Sequence, residues 1–77
     1  MLNKNCSMPK LLSSKAIIKV LERKGFVFIS QKGSHIKYRK YESVVLTVII
    51  PADKKEIPYG TFRSILRQAK LNEENFA

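Results

Sequence analysis

The sequence predicts a small α+β domain with the element order α-β-β-β-α, in which two helices cover one face of a three-stranded antiparallel sheet. Two observations support this fold class. Three β-rich segments follow one another with short turns between them, and a segment with the apolar spacing of an amphipathic helix lies on either side. A length of 77 residues suits one domain, which we place at residues 11–77, after a flexible tail at residues 1–10.

The two helices are predicted from apolar residues at helical spacing and from their end signals. The first spans about Ser14 to Lys24, with Ser13 or Ser14 as the N-cap and Gly25 in the left-handed position after the last turn. The second opens at Gly60-Thr61. Its apolar residues fall at i, i+3, i+4 and i+7, which indicates one buried face: Phe62, Ile65, Leu66 and Ala69.

Three strands are predicted between the helices. Phe26 to Ile29 is aromatic and β-branched, His35 to Arg39 alternates strictly, and Val44 to Ile50 is apolar on both faces apart from Thr47. Pro51 ends the third strand because proline has no N–H to give to the ladder. Short turns join the three segments, so they are expected to form an antiparallel meander.

The alternation of the second strand assigns its side chains to two faces. Ile36 and Tyr38 are expected to face the core, and the odd positions are expected to face outward: His35, Lys37 and Arg39. The segment Lys32-Gly33-Ser34 is the turn before this strand. Tyr41 lies beyond its end and could stack on a base, whereas Tyr38 fits the core better.

The charge balance points to a polyanionic partner. The chain carries 15 Lys and Arg against 6 Asp and Glu, which gives a formal net charge of +9. The cations recur on the predicted outward faces of three elements. They are Lys15, Lys19 and Arg23 on the first helix, Lys37 and Arg39 on the second strand, and Arg63, Arg67 and Lys70 on the second helix.

Several classes of protein are disfavoured. The single cysteine, Cys6, excludes an internal disulfide and a cysteine-based zinc cage, and with one histidine and no carboxylate pair we predict neither a metal site nor a small-molecule cofactor. No apolar run approaches the roughly 20 residues that cross a bilayer. The opening residues also lack a signal-peptide core. We therefore expect a cytoplasmic protein with no membrane partner.

His35 is the only histidine and the leading candidate for catalysis. Histidine exchanges a proton near neutral pH, and RNA carries its own nucleophile in the 2′-OH. One base and a few cations can therefore cleave RNA without a metal. On the residues alone, a surface histidine with no catalytic role is the commoner reading of such a pattern.

The outward side of the third strand forms a third candidate feature. Val45 and Ile49 are apolar there, with Thr47 between them. This pattern is consistent with a partner protein, with cover by the N-terminal tail, or with strand propensity alone.

Two motifs carry a family resemblance, because they occur in the order and at the distance that are usual in one family. The first is Lys32-Gly33-Ser34-His35, after a helix and the Gly25-Phe26 strand; the second is the run from Gly60 to Ala69. Together with the opening Met8-Pro9-Lys10-Leu11, they resemble the HicA-type mRNA interferase toxins of type II toxin–antitoxin systems. The resemblance covers about Met8 to Phe76.

The resemblance implies a fold similar to double-stranded-RNA-binding domains and ribosome-independent cleavage of mRNA, with His35 as the catalytic residue. It also implies a HicB-type antitoxin that blocks the RNA-binding and catalytic region. Gly33 would let the RNA backbone approach the turn, and Ser34 would position a phosphate. The full RNA-binding set is Lys32, Gly33, Ser34, Lys37, Arg39, Arg63 and Arg67. The alternative is a non-catalytic double-stranded-RNA-binding module.

The sequence departs from the family pattern at two positions. Many members carry a histidine two residues after the third-strand proline, where this chain has Asp53. The proton donor to the leaving 5′-oxygen would then be a lysine, a tyrosine or water. Lys70 stands where a helix-ending glycine is usual, so the second helix is expected to end differently.

Overall fold

The computed structural model describes residues 11–76 and confirms the predicted element order. The elements are α1 (Ser14–Arg23), β1 (Val27–Lys32), β2 (His35–Lys40), β3 (Leu46–Pro51), α2 (Tyr59–Ala69) and a 3-10 helix (Glu73–Phe76). The strands form one antiparallel sheet in the order β1-β2-β3. This is the α-β-β-β-α arrangement of double-stranded-RNA-binding domains. The predicted tail at residues 1–10 lies outside the described residues.

α1 begins and ends close to the positions that the sequence predicts. Ser13 is the N-cap, and its Oγ accepts a hydrogen bond from the backbone N–H of Ala16 at 3.1 Å. At the other end Gly25 has a φ of +99°, and the Phe26 N–H donates to the Leu21 carbonyl at 2.9 Å. This Schellman-type ending turns the chain directly from α1 into β1.

The predicted boundaries of two strands are wrong by a few residues. β1 extends past Ile29 as far as Lys32, because its pairing with β2 continues up to the turn. The third strand does not begin at Val44: Val44 and Val45 are 63% and 51% exposed and precede the first paired residue of β3, Leu46. Valines predict a strand by propensity, but among residues 11–76 no strand pairs with these two, which lie in the β2–β3 loop.

The core lies between the two helices and one face of the sheet. Both helices, β2 and β3 contribute to it, and its members are Ile17, Leu21, Phe26, Tyr38, Val48, Ile50, Ile57, Phe62, Ile65, Leu66 and Ala69. The predicted inward position of Tyr38 is confirmed. Its hydroxyl donates to Glu22 Oε2 at 3.1 Å, and burial together with this hydrogen bond raises the pKa of Tyr38.

α2 also covers part of the outer edge of the sheet. The Oε1 atom of Gln68 accepts a hydrogen bond from the backbone N–H of Ile49 at 3.0 Å. The Gln68 side chain thus pairs with a backbone N–H at the free edge of β3, which could otherwise bond to another strand. In the part of the chain that the structure describes, neither helix has the length and apolarity to cross a bilayer.

The expectation that α2 ends differently from its relatives is wrong. Lys70 itself adopts the left-handed conformation, with φ of 57° and ψ of 42°, and its N–H donates to carbonyls of the last turn. The Leu71 N–H then donates to the Leu66 carbonyl at 3.0 Å. The helix therefore keeps the ending that glycine usually provides, although a non-glycine residue costs roughly 1 kcal/mol there.

Lys70→Gly is expected to stabilise the domain by about 0.5–1 kcal/mol, because glycine enters the left-handed region without steric strain. Urea unfolding of the purified variant measures this change. Lys24→Gly is the matched control, since Lys24 also caps a helix end but has a φ of −88°. It is expected to lower stability, and a Lys70→Gly protein no more stable than Lys24→Gly would contradict the argument.

Candidate active site and nucleic-acid interface

His35 is the first residue of β2 and directly follows a two-residue hairpin turn, Gly33-Ser34. Gly33 has a φ of +56°, whereas Ser34 is not in the left-handed region, which is the pattern of a type II′ turn. A Cβ on Gly33 would meet no atom within 4 Å, so the backbone conformation, and not packing, requires glycine. The outer side of this turn is therefore open to a ligand.

The hairpin places Lys32 directly opposite His35. The two residues are paired across the β1–β2 ladder, so their side chains project from the same face of the sheet. His35 is exposed, and Lys32 is exposed beside it. A cation and an imidazole thus stand together at the end of the hairpin.

The other two outward residues of β2 continue this face along the strand. Lys37 is paired with Ser30 on β1 and with Ile49 on β3, and it is half-buried. Arg39 is also half-buried, and its Nε donates to Thr47 Oγ1 at 3.2 Å. The face opposite the helices therefore carries a row of His35, Lys37 and Arg39, which we call the outer face.

A β-bulge in β1 determines which of its side chains join the outer face. The register shifts between Phe28 and Ser30, so that Ile29 is the extra residue. Phe28 before the bulge is paired with inward-facing Tyr38, whereas Ser30 and Lys32 after it are paired with outward-facing residues of β2. Without this extra residue Lys32 would fall on the helix side. Nothing in the sequence pattern signals the bulge.

The structure does not bring Arg63 and Arg67 to the outer face. Both are exposed on α2, in the helical layer on the other side of the sheet, and they line a groove with Leu71 and with Glu73 of the C-terminal 3-10 helix. Arg63 lies 5.9 Å from the ring centroid of Tyr59, and Arg67 donates to Ser64 Oγ at 3.3 Å. The predicted RNA-binding residues are therefore divided between two surfaces.

The basic residues of α1 lie in the helical layer too. Lys19 and Arg23 border a groove whose floor includes Val20 and Phe76. The positive charge of the chain is thus spread over both sides of the molecule, and only the outer face combines it with a histidine.

The end of β3 and the residue after it contact the hairpin turn. The sequence does not predict this contact. Pro51 is paired with His35, and the Ala52 N–H donates to the Ser34 carbonyl at 2.7 Å. Asp53 follows with a φ of 57°, in the left-handed region, and its side chain is exposed. Within residues 11–76, no three side chains of His, Cys, Asp or Glu lie close enough to hold a metal ion.

The described residues form a small basic domain whose fold is that of double-stranded-RNA-binding domains, with an exposed histidine at the end of a hairpin. Comparison with protein families then assigns it. The model of the family described as "HicA toxin of bacterial toxin-antitoxin" matches residues 14–71, which is more than half of the chain, and the chain belongs to this family. It is therefore the toxin of a toxin–antitoxin system, with an antitoxin as its partner. No curated protein matches the chain.

Proposed function

We propose that this toxin is an endoribonuclease that cleaves mRNA without a metal ion, with His35 as its general base. One observation carries the proposal: an exposed histidine stands on the outer face beside Lys32 and two positions from Lys37. General base catalysis needs an accessible imidazole, and phosphoryl transfer needs cations next to the reacting phosphate. The outer face offers both within one hairpin.

In the proposed reaction, the imidazole of His35 takes the proton of a ribose 2′-OH. The 2′-oxygen then attacks the adjacent phosphorus, and the bond from phosphorus to the 5′-oxygen breaks. The products are a 2′,3′-cyclic phosphate and a 5′-hydroxyl, whose proton comes from the imidazolium of His35 or from water. Lys32 and Lys37 stabilise the negative charge that builds up on the phosphate oxygens.

The remaining members of the RNA-binding set have separate roles in this proposal. Gly33 and Ser34 admit the RNA backbone at the open side of the turn, and Arg39 binds a phosphate further along β2. Arg63 and Arg67, in the helical layer, bind phosphates outside the reacting nucleotide. Because such contacts go to the backbone, they add affinity and carry no base preference.

We propose that a HicB-type antitoxin covers the outer face and so excludes RNA from His35. Half-buried Ile49 and exposed Val27 flank the cations on this face and offer apolar contacts to a protein. An acidic surface on the antitoxin would complement Lys37 and Arg39, and the net charge of +9 would speed the encounter.

The direct test is incubation of the purified toxin with a defined RNA in the presence of EDTA, followed by analysis of the product ends. We expect fragments that end in 2′,3′-cyclic phosphate and begin with 5′-hydroxyl. If the toxin binds RNA with a steep salt dependence but does not cleave it, this result would contradict the proposed endoribonuclease activity. It would favour the non-catalytic RNA-binding module. A DNA strand of the same base sequence is the control, because it lacks the 2′-OH nucleophile.

A further inference from the structure

Ser14 is a buried polar residue at the start of α1 that the proposed reaction does not use. It is only 3% exposed, and its hydroxyl has two partners that are distant in the sequence. The Oγ atom donates to the Pro51 carbonyl at 2.6 Å and accepts from the Lys54 N–H at 2.9 Å. Its own backbone N–H donates to the Lys54 carbonyl at 2.9 Å. Ser14 therefore holds both ends of the turn from Pro51 to Lys54.

One peptide group connects Ser14 to the catalytic hairpin. The carbonyl that accepts from Ser14 and the N–H that donates to the Ser34 carbonyl belong to the same unit, the bond between Pro51 and Ala52. This unit is planar and rigid, so a displacement at its carbonyl also moves its N–H. A chain of hydrogen bonds thus runs from Ser14 through one peptide to Ser34, whose carbonyl belongs to the peptide that begins His35.

We propose that Ser14 is a positioning residue for His35, which it holds in place through the Pro51–Ala52 peptide and the Ser34 carbonyl. The hairpin turn itself is exposed, and besides the strand ladder it is held by a hydrogen bond from Gln31 Nε2 to the Gly33 carbonyl at 3.0 Å, which does not reach Ser34. Ser14 lies in α1, close to the buried core residue Ile17, so its position is fixed. Its hydrogen bond to the Pro51 carbonyl therefore restrains the hairpin turn. The hydrogen bonds in such a chain also strengthen one another. This inference rests on the proposed function, since it concerns the placement of its catalytic base.

Ser14→Ala removes the hydroxyl and leaves the Pro51 carbonyl and the Lys54 N–H without their partner. We expect kcat for RNA cleavage to fall by about 10- to 100-fold, because small misplacements of a catalytic group have effects of this size. KM should stay within about twofold of the wild-type value, since the cations on the outer face remain. Ser14→Thr keeps a hydroxyl at the same position and is expected to recover most of the lost rate.

Ser13→Ala is the matched control. It removes a hydroxyl from the neighbouring residue and weakens the same helix, but within residues 11–76 the Ser13 Oγ atom accepts from the Ala16 N–H and makes no hydrogen bond to the turn from Pro51 to Lys54. We expect Ser13→Ala to lower stability while leaving kcat unchanged in the folded protein. Equal kcat values for the two variants at a temperature where both are folded would overturn the role of Ser14.

Hydrogen exchange at the Ala52 amide tests the structural link without using activity. We expect this amide to exchange faster in Ser14→Ala than in Ser13→Ala, and unchanged protection in Ser14→Ala would overturn the proposal. If Ser14→Ala does not fold, the same comparison is made with Ser14→Cys, whose thiol is a weaker hydrogen-bonding group of similar shape. Failure of the wild-type protein to cleave RNA would instead overturn the proposed function, so the two failures are distinguishable.

Discussion

Replacement of His35 by alanine is expected to reduce the rate of RNA cleavage by about 10²- to 10⁴-fold, the range of a positioned general base. The variant lacks the imidazole that is proposed to take the proton of the ribose 2′-OH. Lys32 and Lys37 retain their places in the ladder, so RNA should still bind. The expected pattern is thus a large loss of kcat with little change in affinity.

The measurement compares initial cleavage rates in EDTA at fixed salt for wild type, His35→Ala and Lys55→Ala. Lys55 is an exposed loop residue outside the outer face, so its replacement shows what a surface change alone does. Affinity is measured separately with RNA that carries 2′-deoxyribose at the cleavage site. A folded His35→Ala protein that cleaves at the wild-type rate would remove His35 from the mechanism.

Phe62→Ala is expected to have the largest effect on stability, about 3–5 kcal/mol. Phe62 is 2% exposed and lies in the middle of the core, with its ring 5.2 Å from that of Phe76 in an edge-to-face arrangement. Its removal leaves a cavity between α2 and the C-terminal 3-10 helix. A small domain has a total stability of only about 5–15 kcal/mol, so the variant should lose more than about 10 °C in Tm.

Phe28→Ala provides the matched control for this prediction. Phe28 is also an aromatic residue in an edge-to-face pair, with its ring 5.9 Å from that of Tyr38, but it is 56% exposed. Its removal should cost about 1 kcal/mol, the value of the ring pair alone. Thermal unfolding of both variants by circular dichroism makes the comparison, and similar losses of Tm would show that burial does not determine these effects.

Most of the fold could be predicted because local and long-range signals agree. Ser13 and Gly25 mark the ends of α1, and the alternation from His35 to Arg39 separates the two faces of β2. The strand ends were less predictable, because they depend on where a partner strand stops. Val44 illustrates this. Its propensity favours a strand, but the pairing of β3 with β2 begins only at Leu46.

The candidate site could be predicted only as far as it is local in the sequence. Lys32 and His35 flank one short turn, so their proximity follows from the turn signal. The contact between Ala52 and Ser34 joins segments that are far apart in the sequence, and it is made by backbone atoms, so no residue type predicts it. The separation of Arg67 from the outer face is also a tertiary property, set by which side of the sheet the helices cover.

The position of α2 along the chain has a consequence for how the toxin is made. α2 follows the sheet in the chain, and it contributes Phe62, Ile65, Leu66 and Ala69 to the core. During translation the hairpin that carries His35 emerges before α2, and an isolated hairpin forms within about 1–10 µs but is only marginally stable. The part of the sheet that α2 packs against stays uncovered until α2 leaves the ribosome. The nascent chain therefore cannot complete its core before α2 has emerged, so the hairpin proposed to carry the catalytic base is synthesised before the helix that stabilises the domain.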